Sequence, residues 1–170
     1  MFLSMNWIGD FVDLSGLDKK SLIKNFTLST AEVEDIIEKG ADVSGIVVAK
    51  ILSVENHPDS KKLHLLKVDK GDEVVDIVCG APNVREGMLV ALATVGGQVG
   101  EITIAPRKVG GYMSYGMCCS EAELGISDDH SGLWDIANDI VGDLKLGTDV
   151  KDIRDFNSGN LKALSQFKSI

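Results

Sequence analysis

Cysteine, proline, aromatic residues and basic charge are all scarce in this 170-residue chain, and each shortage excludes something. The three cysteines, Cys79, Cys118 and Cys119, are an odd number with two adjacent, a poor disulfide framework that suits a reducing compartment. Three prolines exclude a Pro-rich linker architecture. Aromatic residues make up 5%, which leaves few platforms for stacking on a nucleobase. No apolar run approaches the roughly 20 residues of a membrane span. Residues 1–7 lack the basic region and long apolar stretch of a secretory signal. A cytoplasmic protein with no membrane association is therefore expected. The 17 Lys+Arg stand against 26 Asp+Glu, a net charge of −9. That excludes a generic polyelectrolyte binder of nucleic acid but leaves room for a local basic patch.

What is present is core material and turn signals. Hydrophobic residues are 44% of the chain, enough for a sizeable core, and 18 glycines indicate a turn-rich fold. Residues 18–26 predict a helix with Asp18 as its N-cap and Leu22, Ile23 and Phe26 on one face. Trp7, Ile8, Phe11 and Val12 predict a second short amphipathic helix, and residues 30–37 are ambiguous between helix and strand. From Val43 the texture becomes β-branched. Strands are predicted over 46–55, 63–69, 74–79, 88–93 and 101–105, with a turn at Asn56-His57-Pro58-Asp59 and a hairpin turn at Gly96-Gly97. Such spacing indicates a small antiparallel barrel or sandwich. Residues 120–125 read as a short helix with a Ser120/Glu123 capping box ended by Gly125. Beyond about residue 152 the pattern degrades into a loop and a short amphipathic stretch over 161–167.

Catalytic and metal-binding patterns are weak. His57, His64 and His130 show no ligand spacing, and Cys118-Cys119 cannot both hold one tetrahedral metal as neighbours. Buried small hydrophobe is the better reading of all three cysteines, and only Cys119 with His130 suggests a nucleophile and a base. Asp128-Asp129-His130-Ser131-Gly132 lacks the alternating acids and closing Glu of a calcium loop, so a polar turn is expected. Neither a catalytic nor a metal site is expected in this chain.

Three composite stretches are more specific: His57-Pro58-Asp59-Ser60-Lys61-Lys62-Leu63, the run 77–87 around Cys79-Gly80-Ala81-Pro82-Asn83-Val84-Arg85, and the run 114–125 beginning Ser114-Tyr115-Gly116-Met117. In this order they resemble the tRNA-binding OB-fold module shared by several synthetases and free-standing tRNA-binding proteins. Met5-Asn6-Trp7-Ile8-Gly9-Asp10, Leu28-Ser29-Thr30-Ala31-Glu32 and Ser127-Asp128-Asp129-His130 narrow the likeness to the start of the bacterial phenylalanyl-tRNA synthetase beta subunit family. The resemblance spans about 1–152. It implies a mainly β protein with some helix: an N-terminal helical arm over 1–41, a five-stranded OB barrel over 42–152, and a poorly ordered tail over 153–170 outside the family pattern. It implies a tRNA-binding accessory module whose partners are tRNA, the synthetase alpha subunit and the rest of the beta subunit. The complete enzyme would use ATP and magnesium, with aminoacylation on the alpha subunit. Alternatives are a module that packs against the synthetase with little RNA contact, or a free-standing tRNA-binding protein. Two departures stand out. The family's Arg-Gly pair before Ser-x-Gly-Met is here Gly110-Gly111, and the pattern stops near Arg154, which favours a truncated, frameshifted or fragmentary product.

Residues 43–150 carry nine basic side chains against sixteen acidic ones, a net of −7, so any tRNA contact must be a focused patch. The RNA-binding candidates are Lys61, Lys62, Arg85, Arg107, Lys108, Ser114 and Tyr115. Tyr112 also flanks Ser114 but is expected to pack in the core, as are Trp7, Met117 and Trp134.

Overall fold

The longest element, β1 (Val43–Asn56), is the hub of the sheet and pairs antiparallel with β2 (His64–Asp69) on one side and β4 (Leu89–Val99) on the other. The computed structural model describes residues 8–9, 11–14, 16–30, 32–33, 42–140 and 144–153. Two compact units divide the chain, residues 1–39 and 40–170. In the first, Ile8 and Gly9 are helical, and Val12 N–H reaches the Ile8 carbonyl at 3.0 Å. The helix α1 (Lys19–Ser29) follows, and Asp18 caps it by accepting from Ser21 N–H at 3.0 Å. Those bonds from Ser21 hold the exposed Asp18 carboxyl below the usual range. Leu22, Ile23 and Phe26 are its half-buried positions, the face its periodicity predicts. Most of the ambiguous segment 30–37 and all of 161–167 lie outside the described residues, as does Trp7.

In the second unit the strand order is β3-β2-β1-β4-β5, with β3 at Val74–Cys79 and β5 at Ile102–Thr103; β8 (Met117–Cys118) pairs separately with β4. The hairpin β6 (Arg107–Val109) and β7 (Tyr112–Ser114) stands between β5 and β8. Two bonds then draw β3 towards the end of that hairpin: Tyr115 N–H donates to the Asp76 carbonyl at 2.9 Å, and Val78 N–H to Ser114 Oγ at 3.1 Å. The result is a mostly β protein built on a curled antiparallel half-barrel, OB-like as the resemblance implies.

Two details of the strands differ from the sequence expectation. The strand expected over 101–105 forms only as the two-residue β5 beside the end of β4, and a strand not expected from the sequence, 117–118, pairs with Leu92 and Ala93 of β4. Gly96-Gly97 does not turn the chain. There β4 bulges: its register against β1 jumps from Ala93↔Ile46 to Gln98↔Ser44, and the turn falls at Gly100-Glu101. A Cβ on Gly97 would lie 2.7 Å from the Ser44 carbonyl oxygen, so the backbones approach more closely than any side chain permits.

The core has two layers, one on each side of β1 and β4. Ala49, Ile51, Leu66, Val68, Ile77, Val90 and Leu92 fill the barrel. Ile46, Val48, Ala91 and Ala93 face the other way, against Leu124, Trp134, Ile136 and Val150 from the chain after β8. Both faces being covered, Val90, Ala91, Leu92 and Ala93 are buried without alternation. Residues 121–125 form turns and not the expected helix, although its capping box is made: Ser120 N–H donates to Glu123 Oε2 at 2.7 Å and Glu123 N–H to Ser120 Oγ at 3.3 Å. A short helix, α2 (Ile136–Asp139), and a 3-10 turn at Val150–Asp152 complete the described residues.

Candidate nucleic-acid interface

The β1–β2 loop, residues 57–63, meets the β6–β7 hairpin at one side chain. His57 is 5% exposed. Its Nε2 lies 2.7 Å from the Gly110 carbonyl oxygen, its Nδ1 accepts from Asp59 N–H at 3.1 Å, and the Tyr112 ring meets it edge-on at 5.2 Å between centroids. Backbone bonds from His57 N–H to the Leu63 carbonyl (3.0 Å) and from Ser60 N–H to the His57 carbonyl (3.4 Å) tighten the loop. Lys61 and Lys62 are exposed on it. On the hairpin, Arg107 pairs across with Ser114 and Lys108 with Met113, so the two cations point to opposite faces. Arg107 lines a cleft of about 370 Å³ with Glu123 and His130, while Lys108 is exposed beside the exposed Met113.

Charge pairing separates the cations. Lys67 bridges to Asp76 at 2.6 Å, and Lys70 to Asp72 and Glu73 at 2.8 and 3.1 Å. Those two carboxylates raise the Lys70 ammonium above its ordinary value, and Lys70 lowers the exposed Asp72 in return. Arg85 pairs with the buried carboxylate of Asp135. Among the described residues no ion pair involves Lys61, Lys62, Arg107 or Lys108, nor Lys50 or Lys145.

Arg85 and Ser114 have internal duties. Arg85 works beside Asn83, whose side chain both donates to the Leu133 carbonyl and accepts from Leu133 N–H, each at 2.8 Å. Together they clamp the segment 133–135 to the β3–β4 loop. Ser114 is 3% exposed; its hydroxyl accepts from Val78 N–H and donates to the Gly116 carbonyl at 3.0 Å. Tyr115 lines a separate cleft of about 900 Å³ whose rim includes Asp72, Glu73 and Asp76 as well as Lys70 and Lys145.

Tyr112 departs from the expected core packing. It is 43% exposed, with its ring roughly perpendicular to that of His57. Trp134, by contrast, is fully packed, and Met117 packs against the same outer core. The missing arginine at Gly110-Gly111 also finds a physical setting. Gly110 has φ +57°, and a Cβ there would lie 2.6 Å from His57 Nε2.

All three cysteines are buried. Burial pushes Cys119 up to about 12, Cys118 well above the usual thiol range and Cys79 upward, which makes them packing groups rather than nucleophiles. The 127–132 segment folds as a polar turn, with Ser131 N–H on Asp129 Oδ1 at 2.8 Å. Among the described residues no three His, Cys, Asp or Glu side chains gather as a metal site requires.

A family profile described as a putative tRNA-binding domain matches residues 46–143. The chain belongs to the tRNA-binding domain family. Curated relatives of this tRNA-binding domain protein carry the name phenylalanine–tRNA ligase beta subunit. That of Syntrophus aciditrophicus (strain SB) is 39% identical over 156 residues, 91% of this chain and 19% of that protein. That of Chlorobium luteolum (strain DSM 273 / BCRC 81028 / 2530) is 41% identical over 142 residues, 80% of this chain and 18% of that protein. The chain thus spans about a fifth of the length of the curated relatives it matches. Among solved structures, a MetRS-related protein from Pyrococcus horikoshii aligns at 22% identity and a TM-score of 0.45, over 62% of this chain and 87% of that one.

Proposed function

We propose that this chain is the tRNA-binding accessory module of a phenylalanine–tRNA ligase beta subunit, and that it holds tRNA through the β1–β2 loop and the β6–β7 hairpin. The observation that carries the reading is the unpaired charge of Lys61, Lys62 and Lys108 on two loops joined by His57, with Arg107 turned to the cleft it shares with Glu123. Loops in these positions, between strands 1 and 2 and before the closing strand, are those OB folds use for oligonucleotides. Arg85 and Ser114 serve this surface indirectly by fixing the barrel. Tyr112, on the hairpin and in contact with His57, is the better placed of the two exposed tyrosines, since Lys70 in the cleft of Tyr115 is already matched by Asp72 and Glu73.

With a local patch on an acidic barrel, contact is backbone-directed, weak and steeply salt-dependent. In the complete enzyme the partners are the alpha subunit and the remainder of the beta subunit, ATP and magnesium serve aminoacylation outside this chain, and the setting is the cytoplasm. Titration of a tRNA transcript with the 170-residue chain at two salt concentrations tests the proposal. Binding at low salt that weakens in Lys61→Ala/Lys62→Ala supports it. Undetectable binding at low salt, or affinity indifferent to that double change, leaves the barrel as a packing module.

A further inference from the structure

We infer that His57 is a positioning residue for RNA: its buried ring fixes the β6–β7 hairpin against the β1–β2 loop, so that Lys61, Lys62 and Lys108 meet one RNA backbone together. This rests on the tRNA-binding reading above and adds to it the device that holds the surface in register.

The proton on the ring is assigned by its partners. Asp59 N–H can only donate, so Nδ1 is the bare, accepting nitrogen; the Gly110 carbonyl can only accept, so Nε2 carries the hydrogen. A single neutral imidazole therefore closes the turn of its own loop and reaches a carbonyl 53 residues away. Among the described residues this is the one hydrogen bond joining the two loops. The hairpin is shaped to receive it. At φ +57° Gly110 presents its carbonyl to the ring, and a Cβ would fall 2.6 Å from Nε2 and 3.0 Å from Leu63 Cδ1. Tyr112 closes the edge of the ring. Because the ring is neutral, it joins two cationic loops without adding a charge between them. Loops fixed in advance lose less freedom on binding than loops that must be gathered by the ligand.

The two hydrogen bonds can be separated by substitution. In His57→Asn the amide oxygen can stand in for Nδ1 and accept from Asp59 N–H, but the side chain is too short to reach Gly110. In His57→Gln the amide nitrogen can replace Nε2 and donate to the Gly110 carbonyl. Each variant of the full 170-residue chain is titrated with a tRNA transcript across salt and melted alone. The expected result is His57→Gln within about twofold of wild type and His57→Asn weaker by about tenfold, the scale of one buried hydrogen bond. His57→Asn should also show a log–log salt slope shallower by about one for each phosphate that is no longer neutralised. Lys108→Ala, which weakens the wild type, should add less than about a twofold loss to His57→Asn, because Lys108 on a freed hairpin no longer meets its phosphate. Gly110→Ala attacks the same bond from the hairpin side and reproduces the loss even where His57→Asn does not fold. A folded His57→Asn or Gly110→Ala with wild-type affinity and slope overturns the inference while leaving the tRNA reading intact. Equal losses in the Asn and Gln variants overturn it as well. A wild-type chain that binds no tRNA at low salt overturns the reading first and the inference with it.

Discussion

Asn83 and Arg85 join the β3–β4 loop to Leu133 and Asp135 across 50 residues; His57 joins the β1–β2 loop to the β6–β7 hairpin across 53. The two cross-links treat charge in opposite ways. In the first, a cation is matched to a buried carboxylate, and an amide satisfies both backbone groups of one residue. In the second, the linker is neutral and the cations beside it are left bare. A basic residue within a motif therefore says little about RNA until its carboxylate partner is known. The clamp holds the outer core in place, whereas the latch sets out a surface.

Stability should respond first and most strongly on the clamp side. Trp134, between the two clamped residues, fills the outer core, and Trp134→Ala is expected to cost about 3–5 kcal/mol. Asn83→Ala strands the Leu133 N–H and carbonyl and should cost about 2 kcal/mol. Arg85→Ala leaves the Asp135 carboxylate without its cation and should cost about 2 kcal/mol, below the range for fully buried pairs because Arg85 is half exposed. Urea unfolding measures all three. The contrast breaks if Arg85→Ala unfolds at the wild-type midpoint yet loses tRNA affinity, since Arg85 would then belong to the surface.

The complementary expectation is that the latch side changes binding without changing stability. Lys61→Ala/Lys62→Ala should leave the melting temperature within about 1 °C, as solvated side chains away from special features do. It should lower tRNA affinity about tenfold at low salt and flatten the salt slope by up to about two, one for each phosphate released. A large drop in melting temperature without a change in affinity would merge the two regions into one structural role.

How much of this is legible in the sequence follows from the range of each interaction. Strands β1 to β3 are readable because β-branched alternation and the turn residues around Pro58 and Gly71 are local signals. The closing strand is not, since Met117–Cys118 is two residues long and is defined by pairing with Leu92 and Ala93. Gly96-Gly97 carries the same composition for a turn as for a bulge, and only the approach of Ser44 and Gly45 decides between them. At the site, the cations are legible as residue types, but their pairing is not, because Asp135 is brought to Arg85 by the fold. His57 reads as part of a turn. The available signal is a ring nitrogen able to accept the amide two residues on; its second bond, to Gly110, has no local trace.

The clamp side also carries a pH dependence. Cys119 accepts Trp134 N–H on its carbonyl at 3.0 Å, is fully buried, and has its thiol pushed up to about 12 by burial. In the unfolded chain the same thiol ionises near about 8.5. The folded chain binds the proton more tightly, so the stabilisation is complete below that value and is lost as pH rises towards 12. Urea midpoints measured from pH 8 upward should fall, and the fall should be shallower in Cys119→Ala.

The smallest effect expected is the most discriminating between surfaces. Tyr112→Ala removes a ring held against His57 and should weaken tRNA severalfold, within the roughly 1–3 kcal/mol of a base stack. Tyr115→Ala should change affinity less than about twofold, because Lys70 in its cleft is already matched by Asp72 and Glu73 and offers a phosphate chain little free charge. Both tyrosines are comparably exposed, at 43% and 44%, so exposure alone predicts equal losses. If Tyr115→Ala is the weaker binder, the RNA path runs along β3 and away from the hairpin, and the bare cations of the latch are only a solvated surface.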